Sequence, residues 1–390
     1  MSQQGQLMHD LPHRERFQID GVYLNSAAIH PMSTASADAV KRYLAERLRS
    51  GTAVGDAIAD ERNDAKALFA RLINCEAGEL AWVGSTMIGE NLVLAGLGLP
   101  EKGAHIVTDA AHFQGSLYLY QSLQQEGVEV TVLPLQDNEI SPERIDQAIR
   151  PNTKLVALSQ VSALNGFEHD LAAVCAAAHA RGVPVYADII QAAGAVPIDV
   201  RASGVDFCAC STYKWLMGDF GVGFLYVRSD HIGALRRPQR GYRQLLSFDT
   251  HFLPHESPHD HPVSFVAGAD ASALFEVGTS GSAAVAALKV SLGYLLETGV
   301  ATLQAYRRTM VVRLQDALAS LGFQALTPYA SNGPIVSFAL ENAMALKPLL
   351  DAAGIQIQLY QHRFRVSPSM FNSMDDIEFL VDLLARFVRR

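Results

Sequence analysis

The chain has 390 residues, 49% of them hydrophobic and 18% charged, and a net charge of −9. That composition builds a globular core rather than a disordered chain, and the acidic balance argues against nucleic acid or an anionic membrane as partner. No run approaches the roughly 18 uninterrupted apolar residues of a membrane span, and the first residues lack a basic-then-apolar leader, so a cytoplasmic protein is expected.

In chain order, residues 1–22 read as a polar arm, and Tyr23 to Ser26 as an extended piece ending in a turn. Strands are expected at 80–84, 105–108, 129–133, 155–159, 184–187, 207–211 and 223–227. These runs are rich in Val, Ala and aromatic residues with little polar alternation, which marks strands covered on both faces. Helices are expected between them at 89–97, 116–125, 141–149 and 170–181. Ser141-Pro142 is a helix start, and Asp170 caps a helix that Gly182 ends. Such alternation predicts an α/β fold with a mainly parallel seven-stranded sheet and helices on both faces.

Residues 236–265 break the pattern, and the Pro- and His-rich stretch 251–263 reads as a loop. Helices follow at 283–298 and 303–321, then strands at 335–340 and 363–366. A closing helix at 375–388 carries Ile377, Leu380, Val381, Leu384 and Val388 at helical spacing. The expected division is an arm at 1–22, a large domain at 23–280 and a smaller C-terminal α+β domain at 281–390.

Cys75, Cys175, Cys208 and Cys210 show no metal-ligand or CxxC spacing and read as buried apolar residues. His251, His255, His259 and His261 have no spacing that fixes a ligand geometry. No metal site is expected there, only a solvated or substrate-covering loop. Gly218, Gly221 and Gly223 precede a strand instead of opening a helix, so they are not a dinucleotide fingerprint.

Ligands of open α/β sheets bind at the carboxyl ends of the strands. After the strand at 80–84 come Ser85 and Thr86 and a helix start, a seat for phosphate. After 105–108 comes His112, after 184–187 come Asp188 and Gln191, and after 207–211 come Tyr213 and Lys214. A lysine and a carboxylate at neighbouring strand ends, beside a phosphate seat, suit pyridoxal 5′-phosphate (PLP). That cofactor needs an amine to condense with its aldehyde and an acid facing its ring nitrogen. Taken singly, Asp188 also reads as a helix cap, His112 as a loop histidine and Arg365 as half of a structural ion pair.

The stretches YLNSAA (from Tyr23), GSTMIGEN (from Gly84), DIIQ (from Asp188), STYKWLMGDFGVG (from Ser211), FEVGT (from Phe275) and RVSPSMFNS (from Arg365) resemble the class V aminotransferase family in both content and order. That family includes cysteine desulfurases, kynureninases and isopenicillin-N-epimerase-like proteins. The resemblance implies the PLP-dependent transferase fold type I, with Lys214 joined to PLP and later moving the Cα proton. It implies Asp188 at the ring nitrogen, Gln191 at the phenolic oxygen and His112 stacked on the ring. Ser85, Thr86, Ser211 and Tyr213 would hold the phosphate, joined by Thr279 from a partner subunit, which implies a homodimer with shared active sites. Arg365 would grip the carboxylate of a small amino-acid substrate, with Asn25 beside it.

Departures from the family matter as well. The stretch 349–365 has no cysteine where desulfurases carry a nucleophile, the strand end at 159–163 lacks an asparagine although Asn165 is close, and Asp219 stands where relatives often have Pro. The expected reaction is Cα deprotonation followed by β-elimination or transamination. An epimerase or racemase, with Tyr213, Tyr242 or His251 as second proton donor, and a non-catalytic PLP-fold regulator are the alternatives.

Overall fold

A computed structural model describes residues 11–51 and 53–389; the first ten residues of the expected arm lie outside them. Seven strands form one sheet: β1 (Leu80–Val83), β2 (His105–Asp109), β3 (Glu129–Leu133), β4 (Thr153–Ser159), β5 (Val185–Asp188), β6 (Phe207–Ser211) and β7 (Gly223–Val227). All seven lie within two residues of their expected positions. Their order is β1-β7-β6-β5-β4-β2-β3, and β7 alone runs against the others. β5, β6 and β7 are buried at every position, whereas the edge strand β3 has no fully buried residue. Continuous apolar runs are what two helix-covered faces demand.

Two helices not anticipated from the sequence, α1 (Thr34–Arg49) and α2 (Ala53–Ile73), precede the sheet. Ser33 starts α1 by accepting the Ser36 N–H. The crossovers are α3 (Thr86–Gly96), α4 (Gln114–Gln125), α5 (Pro142–Ala148) and α6 (Leu171–His179). Residues 236–265 hold the expected loop at 251–262 together with a hairpin not anticipated from the sequence. The hairpin is antiparallel, β8 (Leu245–Thr250) with β9 (Val263–Ala267), and the Pro- and His-rich segment forms its tip. The flanking LLSFDT and VSFVA have strand composition, which the run of prolines and histidines between them obscured.

The remaining chain supplies α7 (Ala283–Thr298), α8 (Val300–Ser320) and α9 (Met374–Val388). Among the described residues no single helix is long and apolar enough to cross a membrane; α7 and α8, bent by 79°, reach that apolarity only as a pair. Leu288, Leu292 and Leu295 of α7 pack into the core of the large sheet. A second, antiparallel sheet has the order β10 (Gln324–Ala325), β11 (Val336–Ala339), β13 (Arg363–Val366), β12 (Gln358–Leu359). Phe338, Phe364 and Val366 from it meet Leu380 and Leu384 of α9 in a separate core.

Residues 22–30 run between the two sheets. Val22 and Leu24 donate to the Gly354 and Gln356 carbonyls, and the Ser367 N–H donates to Leu24. On the other side, the His30 N–H donates to the Tyr213 carbonyl, and Ala27 O accepts from Gln191.

Candidate active site

Four strand ends converge on one cavity. β1 turns into α3 through Gly84-Ser85-Thr86, where the Ser85 hydroxyl caps the helix by accepting the Ile88 N–H. The Thr86 N–H donates to Ser211 Oγ at 3.0 Å, and the Ser211 N–H donates back to Thr86 Oγ1 at 2.9 Å. These reciprocal bonds lock the end of β6 to the start of α3. Ser85, Thr86, Asp188, Ser211, Tyr213 and Lys214 together line a cavity of about 110 Å³. The start of α3 and the Ser85, Thr86 and Ser211 hydroxyls line it, a setting suited to an anion.

Asp188 closes β5 and is fully buried. One carboxylate oxygen accepts the Ile190 N–H at 2.9 Å. Burial pushes its pKa up to about 6, against the pull of His112, the Ile190 N–H and Lys214. Lys214 is only 8% exposed. Burial brings its amine down to about 8; Asp188 opposes that shift and Arg365 adds to it. The loop carrying Lys214 is braced from below. Gly194, at φ +86°, lies so close to the Trp215 carbonyl that a Cβ would collide with it. The Trp215 indole donates to Gln191 Oε1 at 2.8 Å, and Gln191 Nε2 donates to Ala27 O at 3.0 Å.

His112 is buried between the ends of β2 and β4. Its Nδ1 lies 2.8 Å from Ser159 Oγ, and its Nε2 lies 3.4 Å from Glu90 Oε1 on α3. Burial alone would lower its pKa, but the Glu90 carboxylate, joined by Asp188 and Asp109, raises it above the ordinary value. Glu90, itself 1% exposed, also accepts from Ser116 at 2.6 Å and from Tyr120.

On the other side of Lys214, a cavity of about 400 Å³ is lined by His112, Tyr213, Lys214, Gln358, Tyr360, Arg363 and Arg365, among others. Arg365 Nη1 donates to the Ala163 carbonyl at 2.8 Å, while its Nε is buried without a partner. A larger cavity of about 640 Å³ lies alongside, between residues 20–25 and 344–359, away from the lysine.

The structure brings together Ser85, Thr86, His112, Asp188, Ser211, Tyr213, Lys214 and Arg365 around these two adjoining cavities. Gln191 lies behind the lysine loop. Asn25 lines the 640 Å³ cavity instead and reaches the site only through Gln358, at 3.4 Å. Thr279 is exposed, bonded to Tyr242, and lines neither lysine cavity of its own chain. Of the three donors considered for epimerisation, only Tyr213 faces Lys214. Tyr242 lies outside, and His251 spends both ring nitrogens on Ser257 and Ser264 at the hairpin tip. Asn165 holds the Asn138 and Leu326 carbonyls and so serves the fold. The Asp219 carboxylate accepts the Phe220 N–H, and its carbonyl accepts from Thr212.

Sequence reasoning missed Glu90, Gln358, Tyr360 and Arg363. Glu90 was visible as an acid one helical turn after Thr86, and Arg363 as the residue alternating with Arg365 on a strand. Gln358 and Tyr360 carry no local signal, because only the β12–β13 turn brings them to the cavity.

A PLP molecule would find what it needs in this donor set. Its ring nitrogen would meet a buried acid, its aldehyde a buried amine, and its phosphate the hydroxyls and N–H groups at the start of α3. The family model for aminotransferase class-V matches residues 22–373. A cysteine desulfurase of Klebsiella pneumoniae subsp. pneumoniae is 29% identical over 332 residues, 80% of this chain and 78% of that one. The uncharacterized aminotransferase YcbU of Bacillus subtilis is 27% identical over 362 residues, 92% of this chain and 91% of that one. Among solved structures, the cysteine desulfurase CsdA of Escherichia coli overlays with a TM-score of 0.83 at 24% identity, covering 100% of this chain and 99% of the other. The cystine C-S lyase C-DES, in complex with its reaction product cysteine persulfide, overlays with a TM-score of 0.83 at 21% identity, covering 94% and 97%. With the family model spanning most of its length, the chain belongs to the class V aminotransferases, a family of PLP-dependent enzymes.

Proposed function

We propose that the protein removes the Cα proton of a small amino acid and then eliminates a β-substituent or transfers the amino group. The observation that carries this reading is the meeting of Lys214 and Asp188 in one cavity with the Thr86–Ser211 anion seat. PLP, when bound, supplies an aldehyde for amino groups and a ring that accepts electrons from Cα. Asp188 holds that ring nitrogen, and a carboxylate is suited to keeping it protonated. Lys214, with its amine near the working pH range, takes and returns the Cα proton. Arg365 orients the substrate carboxylate, His112 covers the ring and Gln191 steadies the phenolic oxygen.

No cysteine lines either lysine cavity. Cys175, Cys208 and Cys210 are buried, and burial raises all three thiols away from the reactive thiolate form. This favours elimination or transamination without an enzyme-bound persulfide. Tyr213 beside Lys214 favours epimerisation as the second reading, since it offers a further proton donor.

The proposal includes a homodimer. Leu246, Phe248, Phe252 and Phe265 of the hairpin are more than half exposed in the single chain, and Thr279 looks away from its own cavities. An arm, a large cofactor-binding body and a smaller body dividing near residues 22 and 281 belong to the same reading, with α7 packed on the larger one.

The test is reduction of the PLP-loaded protein with borohydride and peptide mapping, followed by a substrate screen. Label on Lys214, with ammonia and keto acid or a released β-substituent as product, supports the proposal. Label on another lysine, or Cα inversion as the sole product, overturns it.

A further inference from the structure

β13 reads Arg363-Phe364-Arg365-Val366, and the two-residue period of a strand places both arginines on one face. Phe364 and Val366 fill the small core. Both arginines face the 400 Å³ cavity beside Lys214. Arg363 lays its guanidinium over the Tyr360 ring, 3.7 Å from the centroid, and its buried Nε has no partner. Among the described residues neither arginine takes part in an ion pair. Burial lowers the pKa of Arg365, and the charge of Arg363 lowers it further. Two like charges share a partly desolvated space that holds no acid of its own to balance them.

The carboxylate of any α-amino acid answers one of these cations. A neutral side chain leaves the other unanswered. Same-face positions on a strand are about 7 Å apart, a span that two flexible arginines can close upon the two ends of a short diacid. We propose that Arg363 is a specificity residue selecting α-amino acids whose side chain ends in a second anionic oxygen group, a carboxylate, sulfinate or sulfonate. Tyr360 serves as the platform that fixes the guanidinium plane. The inference rests on the reading of Arg365 as the site of the α-carboxylate.

The experiment titrates the PLP-loaded protein with L-aspartate, L-glutamate and L-cysteine sulfinate, and separately with L-asparagine, L-glutamine and L-alanine, following the cofactor absorbance. Calorimetry with succinate and butyrate on the same holoenzyme reads binding without turnover. The acidic members should bind at least about tenfold more tightly than the neutral ones, the scale of one charge-assisted pair. In Arg363→Gln that ratio should fall toward one, and Arg363→Lys, which keeps the charge but loses the fork, should lie between. Equal wild-type affinity for aspartate and asparagine, or an unchanged ratio in Arg363→Gln, would overturn the role of Arg363 alone. Absorbance that answers to no amino acid would overturn the enzyme reading together with it.

Discussion

The Glu90 carboxylate lies 3.4 Å from Nε2 of His112, inside a pocket where both side chains are shut off from solvent. A buried acid beside an imidazole favours the imidazolium. Glu90→Gln removes that charge while keeping the hydrogen-bonding shape toward Ser116 and Tyr120. The histidine pKa, raised above 6.5 in the wild type, is expected to fall below it in the variant. Histidine-resolved NMR of the protein reads the shift directly, and an unmoved titration would show that Glu90 serves only packing.

Lys214 carries a prediction in pH. Its amine sits at about 8 rather than 10.5, and only the neutral amine attacks an aldehyde. The rate at which apoprotein captures PLP should therefore rise with pH and level off just above 8. Stopped-flow absorbance measures it; a rise that continues to pH 10 would contradict the depressed value. Lys214→Ala should lose at least about 10³-fold in turnover, the scale of a positioned acid–base group.

Asp188 couples function to stability. Its folded carboxyl keeps a proton up to about pH 6, while its ordinary value is 3.8. The native state thus binds that proton more tightly than the unfolded chain, and stability is lost as pH rises from about 4 to 6. The loss above pH 6 is about 3 kcal/mol. Asp188→Asn apoprotein is expected to resist urea better than the wild type at pH 8 and equally at pH 4, while losing turnover. Equal urea midpoints at pH 8 would refute the burial cost.

Arg365→Ala should weaken amino-acid binding by about 2–5 kcal/mol, the range for truncating one partner of a buried charge pair. Its Nη1 bond to Ala163 O also holds the small sheet against the large one. The variant should therefore melt at a lower temperature as well. Unchanged affinity, read from the cofactor absorbance, would remove Arg365 from the substrate site.

The sheet was legible because two buried faces leave strands no room for polar residues, so each strand showed as an apolar run. The meeting of Asp188 and Lys214 in one cavity was legible because strand-end position marks a residue in any open α/β sheet. Other parts depended on tertiary contact. α1 and α2 contain none of the matching stretches, and their mixed polarity gave no clean stripe. Glu90 lies beside a histidine 22 positions later, and Asn25 lines a different cavity, bonded to Gln358 333 residues away, which no local pattern reveals.

Residues 22–30 have a mechanical consequence. One edge of this strap is stitched to the chain beside the small sheet, at Gly354, Gln356 and Ser367, and the other grips Gln191 and the peptide just before Lys214. Any displacement of one edge of the strap is carried to the Gln191 amide and to the Tyr213 carbonyl at the other. The same nine residues thus touch both the small body and the loop that carries Lys214, so the placement of the one is tied to the placement of the other.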